Sequence, residues 1–374
     1  MCLIIISLST NFPGISYNDL GSLIKSFTLT DKLQYFWGDF YSLSFTEVVD
    51  GARRHKHAPT KLFVFGDSYV DTGNWPRRDC SSWKDPYGIT FPGEPTGRFS
   101  DGRVLTDYIA SYLGIRSPVP YRWRKFGGKI EGDGMNFAYG GTGVFSTMVS
   151  KPNMTTQINF FQQMVEENKY TKQDLSSSIA LVSVAGNDYA TVAKNGNIQD
   201  IEAFTEKIIQ QLTLDLRRLH GLGVRKVGVT AIEPLGCLPQ FTASTSYQNC
   251  SEVENSLSRF HNQMLKQSID KLNNETAGGR LQPFVVLDLY TAFMSALNIH
   301  ENHPGNSSFE NPLTPCCVGK SNQFGCGGVD KNGRKDYVLC DDAKQSFFWD
   351  VIHPSQQGWF SVHLALNSSL HKLV

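Results

Sequence analysis

At 374 residues the chain exceeds the commonest domain size, yet it suits one α/β domain with a core large enough to be stable without a metal. Its 35 lysines and arginines balance 35 aspartates and glutamates, so no net field draws it to nucleic acid or an anionic membrane. No stretch approaches the roughly 20 apolar residues of a membrane span, which leaves a substrate that is neutral or held by local charge.

The chain opens on Met1-Cys2-Leu3-Ile4-Ile5-Ile6-Ser7-Leu8, a brief apolar run without a basic flank, and Asn11-Phe12-Pro13-Gly14 interrupts it before a convincing secretory h-region. Gly51 to Pro59 reads as a basic, solvated linker, a nucleic-acid arm being the less favoured reading. Residues 1–59 are therefore expected to be an atypical leader and linker, and residues 60–374 one catalytic domain. Lys61 to Phe65 is short, aromatic and β-branched and reads as a buried strand, which Gly66-Asp67 breaks, leaving Ser68 at its carboxyl end. In an open α/β sheet that end collects ligands, because loops and helix N-termini converge there. Taken alone, Gly66-Asp67-Ser68 is more often a helix cap.

Four more strands are expected, at Met135 to Ala138, Ile179 to Ala185, Lys226 to Ala231 and Pro283 to Leu287. Helical patterns separate them at Val104 to Leu113, Thr155 to Asn168, Ile201 to His220 and Glu252 to Leu272. In the third, Phe204, Ile208, Leu212, Leu216 and Leu219 recur at three- and four-residue steps. Alternation of strand and helix implies right-handed crossovers and a three-layer α/β/α fold around a five-stranded, mainly parallel sheet. The second strand runs into Gly140-Gly141-Thr142-Gly143, which lacks the Gly-Lys-Ser/Thr ending of a phosphate loop. The third runs into Gly186-Asn187-Asp188.

A serine hydroxyl is a weak nucleophile until a base takes its proton. Of nine histidines only His353 has an acid three residues upstream, Asp350, and a proline directly after it. On one turn, that carboxylate could hold the Nδ1 proton and aim Nε2 at Ser68; the alternative is a purely structural turn. Gly140-Gly141 could simply turn the chain, and Asn187 could cap a helix.

In this order the four segments resemble the GDSL esterase/lipase family, also called SGNH hydrolases, and in particular its large land-plant branch. The likeness covers about residues 60 to 370 and includes Tyr87-Gly88-Ile89, Pro95 to Arg103 and Pro234-Leu235-Gly236-Cys237-Leu238-Pro239. Tyr69 stands where the family name implies leucine, a departure read as variation in packing and not as loss of activity. The resemblance implies a flavodoxin-like strand order of 2-1-3-4-5, a catalytic set of Ser68, Asp350 and His353, and an oxyanion hole made by the N–H groups of Ser68 and Gly141 and the Asn187 amide. It further implies two-step acyl transfer through an acyl-serine, with no metal or organic cofactor. Alternatives are an acyltransferase on the same residues and a non-catalytic binding protein. Absence of a Gly-x-Ser-x-Gly elbow argues against the α/β-hydrolase superfamily.

Eight cysteines are read as disulfide formers in preference to zinc ligands, with Cys237 to Cys250 the expected pair, at most two more bonds among Cys316, Cys317, Cys326 and Cys340, and Cys80 without an obvious partner. The long loop from Asn298 to Asp342 should be stapled by them. With sequons at Asn153, Asn249, Asn274, Asn306 and Asn367, they favour an oxidising, extracellular destination. The expected partners are a small-molecule, lipid or cell-wall ester, with no nucleic acid, no stable membrane insertion and a monomeric state.

Overall fold

Strand β1, Lys61–Gly66, has five of its six residues buried, so both faces of the sheet are covered at its centre. The computed structural model describes residues 59–126, 132–184, 186–196, 200–276, 282–300, 303–304, 307–320 and 325–374. All of the expected leader and linker but Pro59 lies outside them, as do Ala185 and the Asn306 sequon. The remaining sheet strands are β2 Val119–Pro120, β3 Gly134–Asn136, β4 Ser178–Ser183, β5 Lys226–Thr230 and β6 Phe284–Leu287.

All pair in parallel, in the order β2-β3-β1-β4-β5-β6. The sheet thus has six strands where five were expected. The extra one is a two-residue edge ending in proline, too short to show periodicity and placed where a missing N–H costs least. Without it the order is the 2-1-3-4-5 implied by the resemblance.

Two helical layers cover the sheet. Helices α2 Met154–Glu166, α4 Ile201–Gly221 and α5 Glu252–Glu275 pack in sequence on one face, while α1 Leu105–Tyr112, α6 Leu289–Leu297 and α7 Gln356–Ala365 pack together on the other. Helix α3, Gly186–Lys194, follows β4. Asp200 caps α4 by accepting the Ala203 N–H at 3.0 Å, and Ile208, Leu212, Leu216 and Leu219 are buried as the spacing requires. Phe204 is only half-buried, lying against Tyr189 and Phe145 at the rim. Between β1, β3 and α2 an aromatic cluster forms, with Phe65 stacked on Phe137 at 5.2 Å and Phe63 against Phe161 at 4.6 Å.

Three disulfides join Cys237 to Cys250, Cys316 to Cys340 and Cys317 to Cys326, and Cys80 is buried and free. The last two disulfides staple the long loop around an antiparallel pair, Cys317–Gly319 with Tyr337–Leu339. That loop also anchors the segment before His353, because the Cys316 and Cys317 N–H groups donate to the Phe348 and Trp349 carbonyls at 3.0 and 2.7 Å.

Within α5, His261 is completely buried and lies 2.9 Å from the Tyr189 hydroxyl, and burial pushes its pKa down to about 3. Folding therefore holds it neutral, so the unfolded chain binds the extra proton as pH falls through about 6.5. This contribution is complete above pH 6.5 and falls by up to about 1.4 kcal/mol per pH unit from there toward pH 3. His261→Gln should flatten the acid limb of stability in urea titrations at pH 7, 5.5 and 4.5; parallel curves for both proteins would contradict this.

Candidate active site

Gly66 ends β1 at φ +138°, and a Cβ there would fall 1.9 Å from the Ser183 carbonyl oxygen, so only glycine fits this close approach. Buried Gln157 clamps the same residue, accepting its N–H at 2.8 Å and donating to its carbonyl at 2.9 Å. The chain then turns tightly: Asp67 N–H donates to Ser183 O, and Asp71 N–H to Asp67 O, both at 3.0 Å. Ser68 rides on that turn at the carboxyl end of the sheet.

The second half of the site is the turn Asp350-Val351-Ile352-His353. Asp350 Oδ1 accepts the backbone N–H groups of Ile352 and His353 at 2.9 and 2.8 Å, which fixes the carboxylate beside the ring that follows it. His353 Nδ1 lies 2.8 Å from Asp350 Oδ2, and His353 Nε2 lies 2.8 Å from Ser68 Oγ. All three residues are more than nine-tenths buried. Burial would raise the Asp350 pKa, but the charge and hydrogen bond of His353, with the two backbone donors, outweigh it and hold the carboxyl below its usual range.

Gly141 has φ +76°, and a Cβ there would fall 3.0 Å from Val149. Among the described residues, neither its N–H nor that of Ser68 donates to a protein acceptor. Asn187, in the first turn of α3, directs its amide to the Thr142 carbonyl at 3.0 Å and to Asp67 Oδ2 at 3.4 Å. Those partners are the chain neighbours of Gly141 and Ser68. Ser68, His353 and Asp350 are thus joined directly, while Gly141 and Asn187 border them.

Sequence reasoning missed the supports. The Tyr87 hydroxyl donates to Asp350 Oδ2 at 2.8 Å, and the Tyr69 hydroxyl donates to the Ile352 carbonyl at 3.1 Å, tying the turn that carries Ser68 to the one that carries His353. Tyr69 also packs edge-on to His353 and Trp359, so the departure from leucine has a structural use. Asp71 accepts N–H groups from Gly73, Asn74 and Gly140, and Asp188 those of Val144 and Phe145, together fastening the glycine loop to the segment after β1 and to α3. Burial pushes both carboxyls up to about 6. Asp67 and Glu233, also buried here, are raised chiefly by burial too. The Tyr87-Gly88-Ile89 motif was the one available signal for Tyr87.

A serine, an imidazole and a carboxylate hydrogen-bonded in series at the carboxyl end of a parallel sheet have the geometry of a serine hydrolase. Residues 62–359 match the family model described as GDSL-like Lipase/Acylhydrolase. The chain is 51% identical to the GDSL esterase/lipase At5g03610 of Arabidopsis thaliana, over 88% of this chain and 93% of that one. It is 50% identical to the GDSL esterase/lipase At3g09930 of the same plant, over 83% and 88%. Among solved structures, LAE5, an α/β hydrolase enzyme from the metagenome of Lake Arreo, aligns at a TM-score of 0.42 and 14% identity over 85% of this chain and 97% of that one. The chain belongs to the GDSL-like lipase/acylhydrolase family, and is an ester hydrolase.

Tyr87→Phe keeps the ring and removes the donor, leaving a buried carboxylate oxygen short of a partner. The expected cost is about 1–3 kcal/mol in urea unfolding at pH 7. An unchanged midpoint would show that the hydroxyl does not support Asp350.

Proposed function

We propose that the chain hydrolyses carboxylic esters through an acyl-Ser68 intermediate. The observation that carries this reading is the continuous hydrogen-bond series from Asp350 through His353 to Ser68. His353 Nε2 takes the Ser68 proton as Oγ attacks the ester carbonyl, and Asp350 holds Nδ1 and stabilises the imidazolium that forms. The tetrahedral oxyanion would be met by the Ser68 and Gly141 N–H groups and by the Asn187 amide, which must turn from its present partners toward it. His353 then returns the proton to the leaving alcohol, and water repeats the sequence on the acyl-enzyme. An acyltransferase would use the same residues and differ in the acceptor it admits.

Residues 60–374 are proposed as the catalytic domain, and its export through an oxidising compartment is supported by the three disulfides and by the exposed sequons Asn274 and Asn367. Among the described residues no helix is long and apolar enough to cross a membrane, and no cluster of histidine, cysteine or acid residues could hold a metal ion.

Ser68→Ala should leave the fold intact and reduce p-nitrophenyl ester turnover by about 10⁴-fold or more; near-normal turnover would remove Ser68 from the mechanism. Asn187→Ala should lower kcat by about 10²- to 10³-fold with a smaller change in KM, as expected for a donor acting in the transition state. Reduced stability with unchanged kcat would instead leave Asn187 a purely structural role.

A further inference from the structure

On a chain with no net charge, residues 75–84 and 121–125 together with Lys151 hold seven lysines and arginines against one acid, Asp79. These cations are set among tryptophans. Lys151 Nζ sits 4.5 Å from the Trp75 ring centroid, and the Arg77 and Arg122 guanidinium carbons lie 5.2 and 5.4 Å from that of Trp83. The Trp75 carbonyl holds the group together, accepting the Trp83 indole N–H at 2.9 Å and an N–H of Arg122. Among the described residues, Arg77, Arg122 and Lys151 form no ion pair with an acid.

This wall runs directly into the candidate active site. Phe99 lies 5.1 Å from the His353 ring, centroid to centroid, and fills the space a Cβ on Gly140 would take, 2.3 Å from it. The Trp75 indole donates to the Gly140 carbonyl at 2.8 Å, one residue before Gly141. In the proposed mechanism His353 hands its proton to the departing alcohol. A surface continuing outward from His353 through Phe99 to Trp75 therefore meets the alcohol half of the ester.

We propose that Trp75, Trp83, Arg77, Arg122 and Lys151 form a subsite for an anionic, ring-bearing alcohol moiety, so that the preferred substrates are esters whose alcohol half carries a carboxylate. The assignment to the alcohol half rests on the acyl-Ser68 reading. A carboxylate reaching these cations gains charge-assisted hydrogen bonds without displacing an existing ion pair.

Calorimetric titration of Ser68→Ala separates binding from turnover. At low salt it should bind 4-acetoxybenzoate at least about tenfold more tightly than 4-acetoxybenzamide, because the Debye length then lets the local charge act. In the Ser68→Ala, Arg77→Gln, Lys151→Gln protein that advantage should fall below about twofold, while thermal unfolding stays cooperative. Monomethyl terephthalate, charged on its acyl half, should show no comparable advantage over its amide. Equal affinities in Ser68→Ala, or an advantage that survives loss of both cations, would overturn the subsite. A comparable advantage for monomethyl terephthalate would overturn its assignment to the alcohol half. Failure of the Ser68 mechanism would appear separately, as release of 4-hydroxybenzoate by Ser68→Ala.

Discussion

The 2.8 Å contact between Ser68 Oγ and His353 Nε2 joins residues 285 positions apart, and much of the surrounding architecture holds its two ends in register. One end is rigid because β1 lies mid-sheet and stops at a glycine pressed against β4. The other is a turn outside the sheet, which needs its own fastenings. The Ser100 hydroxyl donates to the Pro354 carbonyl, the Gln356 N–H donates to Asp101, and the stapled loop binds residues 348 and 349 from the far side. Tyr69 then connects the two ends directly.

Carboxylates do much of this fastening. Asp71, Asp188 and Asp350 each accept two or more backbone N–H groups, so each organises a loop through donors that no helix or strand uses. Of these three, Asp350 alone faces an imidazole, and its carboxyl alone is held below the ordinary range; burial dominates Asp71 and Asp188 and pushes them up. The same residue type thus serves as scaffold or as partner of an imidazole according to what stands beside it.

The parts legible in the sequence are those written locally. Strand ends punctuated by glycine placed Ser68, Gly141 and Asn187 at the carboxyl end of the sheet, and the Asp-x-x-His spacing placed Asp350 against its own histidine. The pair Cys237 and Cys250 was legible because a short polar loop separates them. Tyr87 was not, since its partner Asp350 is 263 residues away and a tyrosine hydroxyl leaves no periodic trace. Nor was the β2 edge, where two residues carry no pattern, or the tryptophan wall, which joins three separated segments through rings and cations. Long-range polar contacts depend on the folded topology, whereas local patterns carry only the alternation of strands and helices; the strand order itself came from the family resemblance.

The most direct test of the central claim is to trap the intermediate. Rapid acid quench of the protein with p-nitrophenyl acetate, followed by peptide mass spectrometry, should find an acetyl group on Ser68 that forms with the p-nitrophenol burst and decays at the turnover rate. A burst with the acetyl group on any other residue, or turnover through a Ser68 that never becomes acylated, would contradict the account.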